Sequence, residues 1–370
     1  MKKKNIIIAF AMLLLTGVAL STATYAWFTA NTLIQLGQID VRVQATNGIQ
    51  VSTDATNWKA SLTTDEIRNA YYTGSTTQFP DVTNGDYLQP VSTSGSLTDG
   101  KFNMFYGVLQ TNGNITLTKA NETAGSCSVA TAHTPAACAT ASGTWSEAND
   151  AYFIAFDLFI QSNANREVGL LPSSLVDATG TDAGLKDSIR VGFVINGTDA
   201  TNTPATAYAL AANADYTIWE PNVDAHTEKA IAQGNATDTF VYSYMGAQAV
   251  GTDVVLNNGT QFATVPAQIA PGADYIIQTN EVKTAAENPA YVPTYRRVTN
   301  VTGSGAAFTG SEWNTTAEAN YPTVFSVTAG ITKVRVYIWI EGQDVDCENN
   351  ASLGSAVGVA INLNAKTVAP

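Results

Sequence analysis

Residues 21–45 read STATYAWFTANTLIQLGQIDVRVQA and connect an apolar leader to the first strand pattern of the chain. Upstream, three lysines at positions 2–4 precede an apolar run over residues 6–20, the layout of a secretory signal peptide. This run of 15 residues is shorter than the roughly twenty that a membrane-spanning helix needs. The sequence therefore predicts a signal peptide over residues 1–26, cleaved after Ala26, with a retained membrane helix as the alternative.

The residues after the predicted cleavage site have a strand pattern of their own. Apolar Ile39, Val41 and Val43 alternate with polar residues, and a period of two is typical of a half-buried strand. The new N-terminus would also carry five large apolar side chains, namely Trp27, Phe28, Leu33, Ile34 and Leu36. Such a segment is expected to pack on its own domain or on another molecule.

The junction itself resembles that of a known family. Thr24-Tyr25-Ala26-Trp27-Phe28, placed directly after the apolar run, is similar to the signal junction of the TasA and camelysin family. Members are secreted β-proteins of Gram-positive biofilm matrices, processed by a signal peptidase of the SipW type. The resemblance covers about the first 45 residues. It implies an extracellular or cell-surface structural protein that meets a membrane only before processing.

Composition limits the classes of partner. The formal net charge is -13, and loss of the leader lysines would make the mature chain more acidic, which argues against a nucleic-acid partner. With 45% hydrophobic and 13% charged residues, the chain can bury a sizeable core, and disorder is not expected. We predict one β-sandwich domain over residues 46–370, with residues 198–320 either an insertion or a second small domain.

The patterns beyond the leader predict an all-β fold, a jelly-roll-like antiparallel β-sandwich with long loop insertions. Candidate strands are 102–109, 151–160, 188–195, 239–244, 253–256, 275–279, 332–340 and 356–363. The segment 151–160 is apolar nearly throughout and is expected to be buried on both faces. The last two strands are expected to be antiparallel neighbours, and Asn196-Gly197 predicts a turn.

One short helix is also expected. Residues 64–71 carry a capping pattern in which Thr64 would be the N-cap, with Ile67 and Tyr71 facing inward.

Cysteine usage fits export. Cys127 and Cys138 lie eleven positions apart in a segment rich in Ser, Thr and Ala, and we predict a local disulfide, the alternative being two free thiols. Zinc is less favoured, because His133 is the one nearby histidine and no fourth ligand is evident. Cys347 is left over, as a buried thiol or as a link between subunits.

An acidic cluster follows the strand at 332–340. Glu341, Asp344 and Asp346 supply oxygen ligands of the kind that calcium prefers. Their spacing does not match an EF-hand loop, so a solvated acidic turn is the alternative to a calcium site. No other cofactor is predicted.

Catalytic patterns are scarce. The two histidines, His133 and His226, lie in no recognised motif, and the sequence has no HExxH zinc helix, GxSxG elbow or phosphate loop. We therefore do not expect an enzyme.

The leading hypothesis is self-association into fibres by strand donation. The N-terminal segment 27–45 would add to an open sheet edge of the next subunit. Its assembly residues are Trp27, Phe28, Leu33, Leu36, Ile39, Val41 and Val43. A charge at Val41 is then expected to block assembly and leave the protomer folded. The alternative for this segment is an ordinary first strand of its own domain.

Two other classes of protein stay open. One is a type IV pilin-like subunit that retains its N-terminal helix. The other is a secreted carbohydrate-binding module or hydrolase, in which Trp145, Trp219 or Trp313 would stack on sugars.

Overall fold

A computed structural model describes most of the chain from Gln38 onward. The described residues are 38–80, 88–109, 115–122, 125–146, 152–171, 173–179, 185–212, 215–220, 247–250, 253–256, 273–279, 292–297, 323–342, 347 and 356–366. The predicted signal peptide over residues 1–26 lies outside them, as does the candidate strand at 239–244.

Short strands dominate the described part of the chain. The strands are β1 Gln38–Thr46, β2 Ile49–Ser52, β3 Ser61–Leu62, β4 Ser92–Thr98, β5 Lys101–Leu109, β6 Ile115–Lys119, β7 Ser126–Cys127, β8 Trp145–Ser146, β9 Phe153–Ser162, β10 Arg166–Leu170, β11 Leu175–Thr179, β12 Ile189–Asp199, β13 Asp215–Glu220, β14 Ala247–Val250, β15 Asp253–Leu256, β16 Ala273–Thr279, β17 Val292–Arg297, β18 Thr323–Val327, β19 Gly330–Ile340 and β20 Ala356–Ala365. The helices are α1 Thr64–Arg68, α2 Pro135–Thr140 and α3 Pro204–Tyr208, with a 3-10 turn at Leu185–Ser188.

Two sheets form an all-β, sandwich-like body, as the sequence predicts. The larger sheet has the order β17-β16-β13-β12-β19-β9-β2. The smaller has the order β18-β10-β20-β1-β3, and β11 also pairs with β20. The named strand pairs are antiparallel except for β1 and β20, which run parallel over nine residue pairs.

Alternation in the strands builds the main core between the sheets. In β19, Val334, Val336, Ile338 and Ile340 share one buried face, as predicted from their period of two. On β20 the facing set is Val357, Val359, Ile361 and Leu363. Full burial of one such side chain stabilises the fold by roughly 1.5–3 kcal/mol.

A third layer covers the outer face of the larger sheet, so β9 is buried on both faces as predicted. The sheet β4-β5-β6 forms most of this layer, and Tyr72 adds to it by packing edge-on against Phe159 of β9. Phe102 of β5 packs edge-on against Tyr337, with ring centroids 5.2 Å apart. Gly192 of β12 leaves space for this ring, because an added Cβ would lie 2.7 Å from Phe102.

Three local predictions are wrong. Asn196-Gly197 is not a turn: Gly197 has φ +115° and sits at a bulge, and β12 continues past it to Asp199. A bulge adds one residue to a strand without ending it.

The strands β19 and β20 are not neighbours, because they lie in different sheets of the sandwich. The cap of α1 is Thr63, which forms a capping box with Glu66, and not Thr64.

The region from 198 to 320 contributes described strands to the larger sheet. β13 pairs with β12, β16 with β13, and β17 with β16. β14 and β15 pair only with one another among the described strands. Whether this region is an insertion or a second domain stays a prediction.

Candidate functional site

The strand β1 carries the three assembly residues that fall within the described part of the chain. Val41 and Val43 are fully buried in the main core, while for Ile39 the backbone alone is placed. Trp27, Phe28, Leu33 and Leu36 lie outside the described residues. In this structure β1 is a strand of its own domain, which was one of the two alternatives, and its use in assembly stays a prediction.

The outer edge of β1 is closed along much of its length. β3 pairs with it at Val43 and Gln44. Further toward the N-terminus, the Val41 amide donates to Oγ1 of Thr64 at 2.9 Å, and the same hydroxyl lies 3.1 Å from the Val41 carbonyl. The first turn of α1 therefore takes the place of a strand partner at Val41, and this edge offers few main-chain groups to another molecule.

The opposite edge of the smaller sheet is open in the described part of the chain. β18 pairs with β10 on one side, and the strand order ends there. Val324, Phe325 and Val327 anchor β18 in the core, and the Thr217 hydroxyl donates to the Val324 carbonyl. An edge strand presents main-chain N–H and C=O groups to which a further strand can pair, and on β18 the Val324 carbonyl is already bonded to Thr217.

The acidic cluster is placed only in part. Glu341 is fully buried, and its carboxylate accepts hydrogen bonds from the Ser92 hydroxyl and, at 3.2 Å, from the Trp339 indole N–H. A solvated turn is therefore wrong for Glu341. Asp344 and Asp346 lie outside the described residues, within which no three His, Cys, Asp or Glu side chains come together as a metal site. Calcium binding stays a prediction.

The predicted disulfide is confirmed. Cys127 at the end of β7 and Cys138 in α2 are bonded, with their Cα atoms 5.7 Å apart. Thr134 caps α2 by accepting a hydrogen bond from the Ala137 amide at 3.2 Å. Cys347 is buried in the main core, as one of its two alternatives proposed.

A groove of about 400 Å³ separates this disulfide loop from the chain that follows α1. It is lined by Arg68, Ala70, Tyr71, Gly74, Ser75, Thr77, Gly125, Ser126, Cys127, Ala130, Ala132, His133, Pro135 and Trp145. Tyr71 was expected to face inward, but it is 41% exposed and stacks on His133, with ring centroids 4.4 Å apart and planes 10° apart. Tyr71 lies outside α1, which ends at Arg68, so the helical spacing that would turn it inward does not apply.

The three tryptophans proposed to stack on sugars differ in position. Trp145 lines the groove, Trp219 is 1% exposed in the main core and cannot meet a ligand there, and Trp313 lies outside the described residues.

A buried network of charges holds the third layer to the larger sheet. Arg335 of β19 donates from Nη1 to Asp157 of β9 at 3.0 Å, and from Nη2 to Glu122. Asp157 also accepts from the Tyr72 hydroxyl and lies 3.6 Å from the Lys333 ammonium. Tyr72 and Glu122 belong to segments that cover the sheet, so the network ties distant parts of the chain together.

Burial and charge set the protonation states of this network. Burial by itself would raise the pKa of Asp157, but the charges of Arg335 and Lys333 and the hydrogen bond from Tyr72 lower it below its ordinary value. For Lys333, desolvation is the strongest influence and lowers the pKa. Burial next to Asp157 raises the pKa of Tyr72, which stays protonated and donates. Asp157 is therefore a carboxylate at neutral pH, while the Nε of Arg335 is buried without a hydrogen-bond partner among the described residues.

The sequence does not predict this network. Its one available signal was Asp157, the single charge in an apolar strand, together with Lys333 and Arg335 between the valines of β19. In a two-layer sandwich these positions would face water, and only the third layer makes them interior.

Comparison of the chain with protein-family models, with curated proteins and with solved structures finds no match. The helices of the described part are five or six residues long, and none has the length and apolar character to cross a bilayer.

Proposed function

We propose that this chain is an exported structural protein that assembles into extracellular fibres by strand donation. The donor is the apolar segment ahead of β1, and the acceptor is the edge of β18 in the next subunit. The observation that carries this proposal is the order of the smaller sheet, which ends at β18 without a further strand among the described residues.

The donor follows from the position of β1. Nine register pairs with β20 fix this strand in its own sheet, and its residues Val41 and Val43 fill the core of the same molecule. The donated residues are therefore those before Gln38, where Trp27, Phe28, Leu33 and Leu36 supply the apolar surface. The resemblance of this junction to the TasA and camelysin family supports the same function.

The acceptor edge has the properties that strand addition needs. β18 is held in place by three buried side chains and by its pairing with β10, so its outer edge is preorganised. Main-chain hydrogen bonds to this edge would supply affinity, and alternate side chains would fix the register. The neutral polar Ser326 on this strand is exposed and adds no charge that would repel a partner.

The test compares the secreted chain with two variants by electron microscopy and size-exclusion chromatography. One variant begins at Gln38, and the other carries Leu33→Asp with Leu36→Asp. Both should remain folded monomers without fibres. The first variant lacks the donor segment, and the second would have to bury unpaired charges, which costs several kcal/mol. Leu175→Asp is the matched control, because Leu175 is 41% exposed on β11, and its fibres should form normally.

Val41→Asp is not a suitable variant, because it places a charge in the protomer core. A peptide of residues 27–37 gives a second measurement, since it should compete for β18 and shorten the fibres of the full chain. Fibres that form equally well from the chain beginning at Gln38, or a secreted chain that stays monomeric at high concentration, would refute the proposal.

A further inference from the structure

The strand β1 begins at one end of the smaller sheet, and the acceptor strand β18 lies at the other. β1 runs from Gln38 to Thr46, and Thr46 pairs with Asn364 of β20. In the same row across the sheet, Gly169 of β10 pairs with both Asn364 and Thr323, the first residue of β18. β18 therefore begins where β1 ends, roughly 26 Å from Gln38 along the strand direction at about 3.3 Å per residue.

The pairing also fixes the relative direction of the two strands. β1 is parallel to β20, β20 is antiparallel to β10, and β10 is antiparallel to β18. β1 and β18 consequently run in the same sense. The chain therefore enters β1 at the end of the sheet that lies opposite β18.

The donor segment, residues 27–37, is too short to pair with β18 of its own subunit. A strand added outside β18 would lie four strand spacings from β1, roughly 19 Å at about 4.8 Å per strand. Together with the distance along the strands, this puts the acceptor edge at least about 32 Å from Gln38. The eleven residues of the segment span at most about 36–40 Å when fully extended, so one or two of them would remain for pairing.

The end of the sandwich beside β18 has three uncharged turns. They are residues 47–48 after β1, 163–165 between β9 and β10, and 328–329 between β18 and β19. The first two lie side by side, because an added Cβ on Gly48 would come 3.8 Å from the guanidinium of Arg166. None of the three turns contains Lys, Arg, Asp or Glu, in a chain whose formal net charge is -13. A second subunit can therefore approach these turns without burying an unpaired charge.

From these observations we infer that donation takes place only between subunits, joined end to end, and that the donor segment lies parallel to β18 of its neighbour. A subunit placed ahead along the strand direction brings its donor segment over the open edge, and the segment continues into its own β1 without reversing. Antiparallel pairing would require a reversal within the same eleven residues. This inference rests on the proposed function and adds the direction of pairing and a fibre axis that follows the strands.

A matched pair of peptides tests the direction of pairing. Both have the sequence of residues 27–37, one with Thr29→Cys and the other with Gln35→Cys, each activated as a pyridyl disulfide. The acceptor is the secreted chain with the two aspartate substitutions in its donor segment, which leaves the edge of β18 open, and with Thr328→Cys added. Thr328 is exposed and directly follows β18.

Parallel pairing brings position 35 to Thr328 and leaves position 29 about 20 Å away, so the Gln35→Cys peptide should react at least about tenfold faster. Leu175→Cys, at an exposed position on β11, is the control acceptor and should react equally with both peptides. Faster reaction of the Thr29→Cys peptide with Thr328→Cys would overturn the parallel arrangement. Equal reaction of both peptides at Thr328→Cys and at Leu175→Cys would refute donation to β18 itself.

A second experiment distinguishes donation between subunits from donation within one subunit. The secreted chain with Gln35→Cys and Thr328→Cys is oxidised after assembly and examined on non-reducing gels. Cys127 and Cys138 are bonded and Cys347 is 1% exposed, so the added thiols are the accessible ones. A ladder of covalent multimers is expected, and the chain with Thr328→Cys alone should give none. Monomers with an internal link would overturn the inference, whereas a chain that forms no fibres at all would refute the proposed function.

Fibre diffraction tests the axis. With strands along the fibre, the inter-strand spacing of about 4.8 Å should lie near the equator of the pattern. A meridional reflection at that spacing would show strands stacked across the axis, as in amyloid, and would overturn the end-to-end arrangement even though fibres had formed.

Discussion

Asp157→Asn should be among the most destabilising isosteric changes in this chain. The carboxylate is 3% exposed and serves Arg335, Tyr72 and Lys333 at once. Asparagine keeps the shape and one acceptor oxygen but removes the negative charge. Arg335 would then keep Glu122 as its anionic partner, while Lys333 would lose its ion pair with Asp157, the one carboxylate that lies beside it in the described part of the chain.

The expected loss follows from burial. The Arg335 side chain is 2% exposed and that of Lys333 is 10% exposed, so water screens neither charge well. Removal of one partner from a buried ion pair costs about 3–5 kcal/mol, because the other charge stays buried without compensation. We expect the free energy of unfolding to fall by about that amount.

Urea unfolding at pH 7, followed by tryptophan fluorescence, measures this loss. Asp40→Asn is the matched control, because Asp40 pairs with Arg42 at the surface, where the side chains are 38% and 72% exposed. That pair should contribute less than about 1 kcal/mol. A loss for Asp157→Asn no larger than the loss for Asp40→Asn would refute the buried network.

The pH dependence gives a second check. Because the folded-state pKa of Asp157 is lowered, its contribution is fully present above the unfolded value of about 3.9 and disappears as pH falls through the folded value. The difference in stability between the original chain and Asp157→Asn should therefore be constant from pH 5 to 7 and shrink below about pH 4. A difference that grows on acidification would contradict the assigned charge state.

Two other predictions concern single sites. Cys127→Ser should cost about 2–3 kcal/mol of local stability, which is the loop-entropy value for a closed loop of this size. Residues 125–146 should then become sensitive to proteolysis while the sandwich stays intact. Protease resistance equal to that of the original chain would contradict this prediction. Glu341→Gln should lower the free energy of unfolding by about 1–3 kcal/mol, because the buried carboxylate accepts hydrogen bonds from Ser92 and Trp339. This loss should be the same with and without calcium. A calcium-induced rise in Tm that this variant abolishes would show instead that Glu341 is a ligand.

Local patterns in the sequence were enough for several features. The period of two in β19 and β20 predicts which valines and isoleucines face the core, because side chains alternate across a strand. The apolar run in β9 predicts burial on both faces for the same reason. The short spacing between Cys127 and Cys138 predicts their disulfide, since a closed loop of that length is easily formed.

Only the tertiary structure decided which strands are neighbours and which polar residues are interior. Pairing depends on contacts between residues hundreds of positions apart, such as the parallel register of Val41 with Val359, and no local pattern encodes it. The third layer places Asp157 and Arg335 away from water, although a strand pattern alone leaves their side of the sheet open to solvent. The groove arises in the same way, because Tyr71 and Trp145 line it together only after two distant loops have packed against each other.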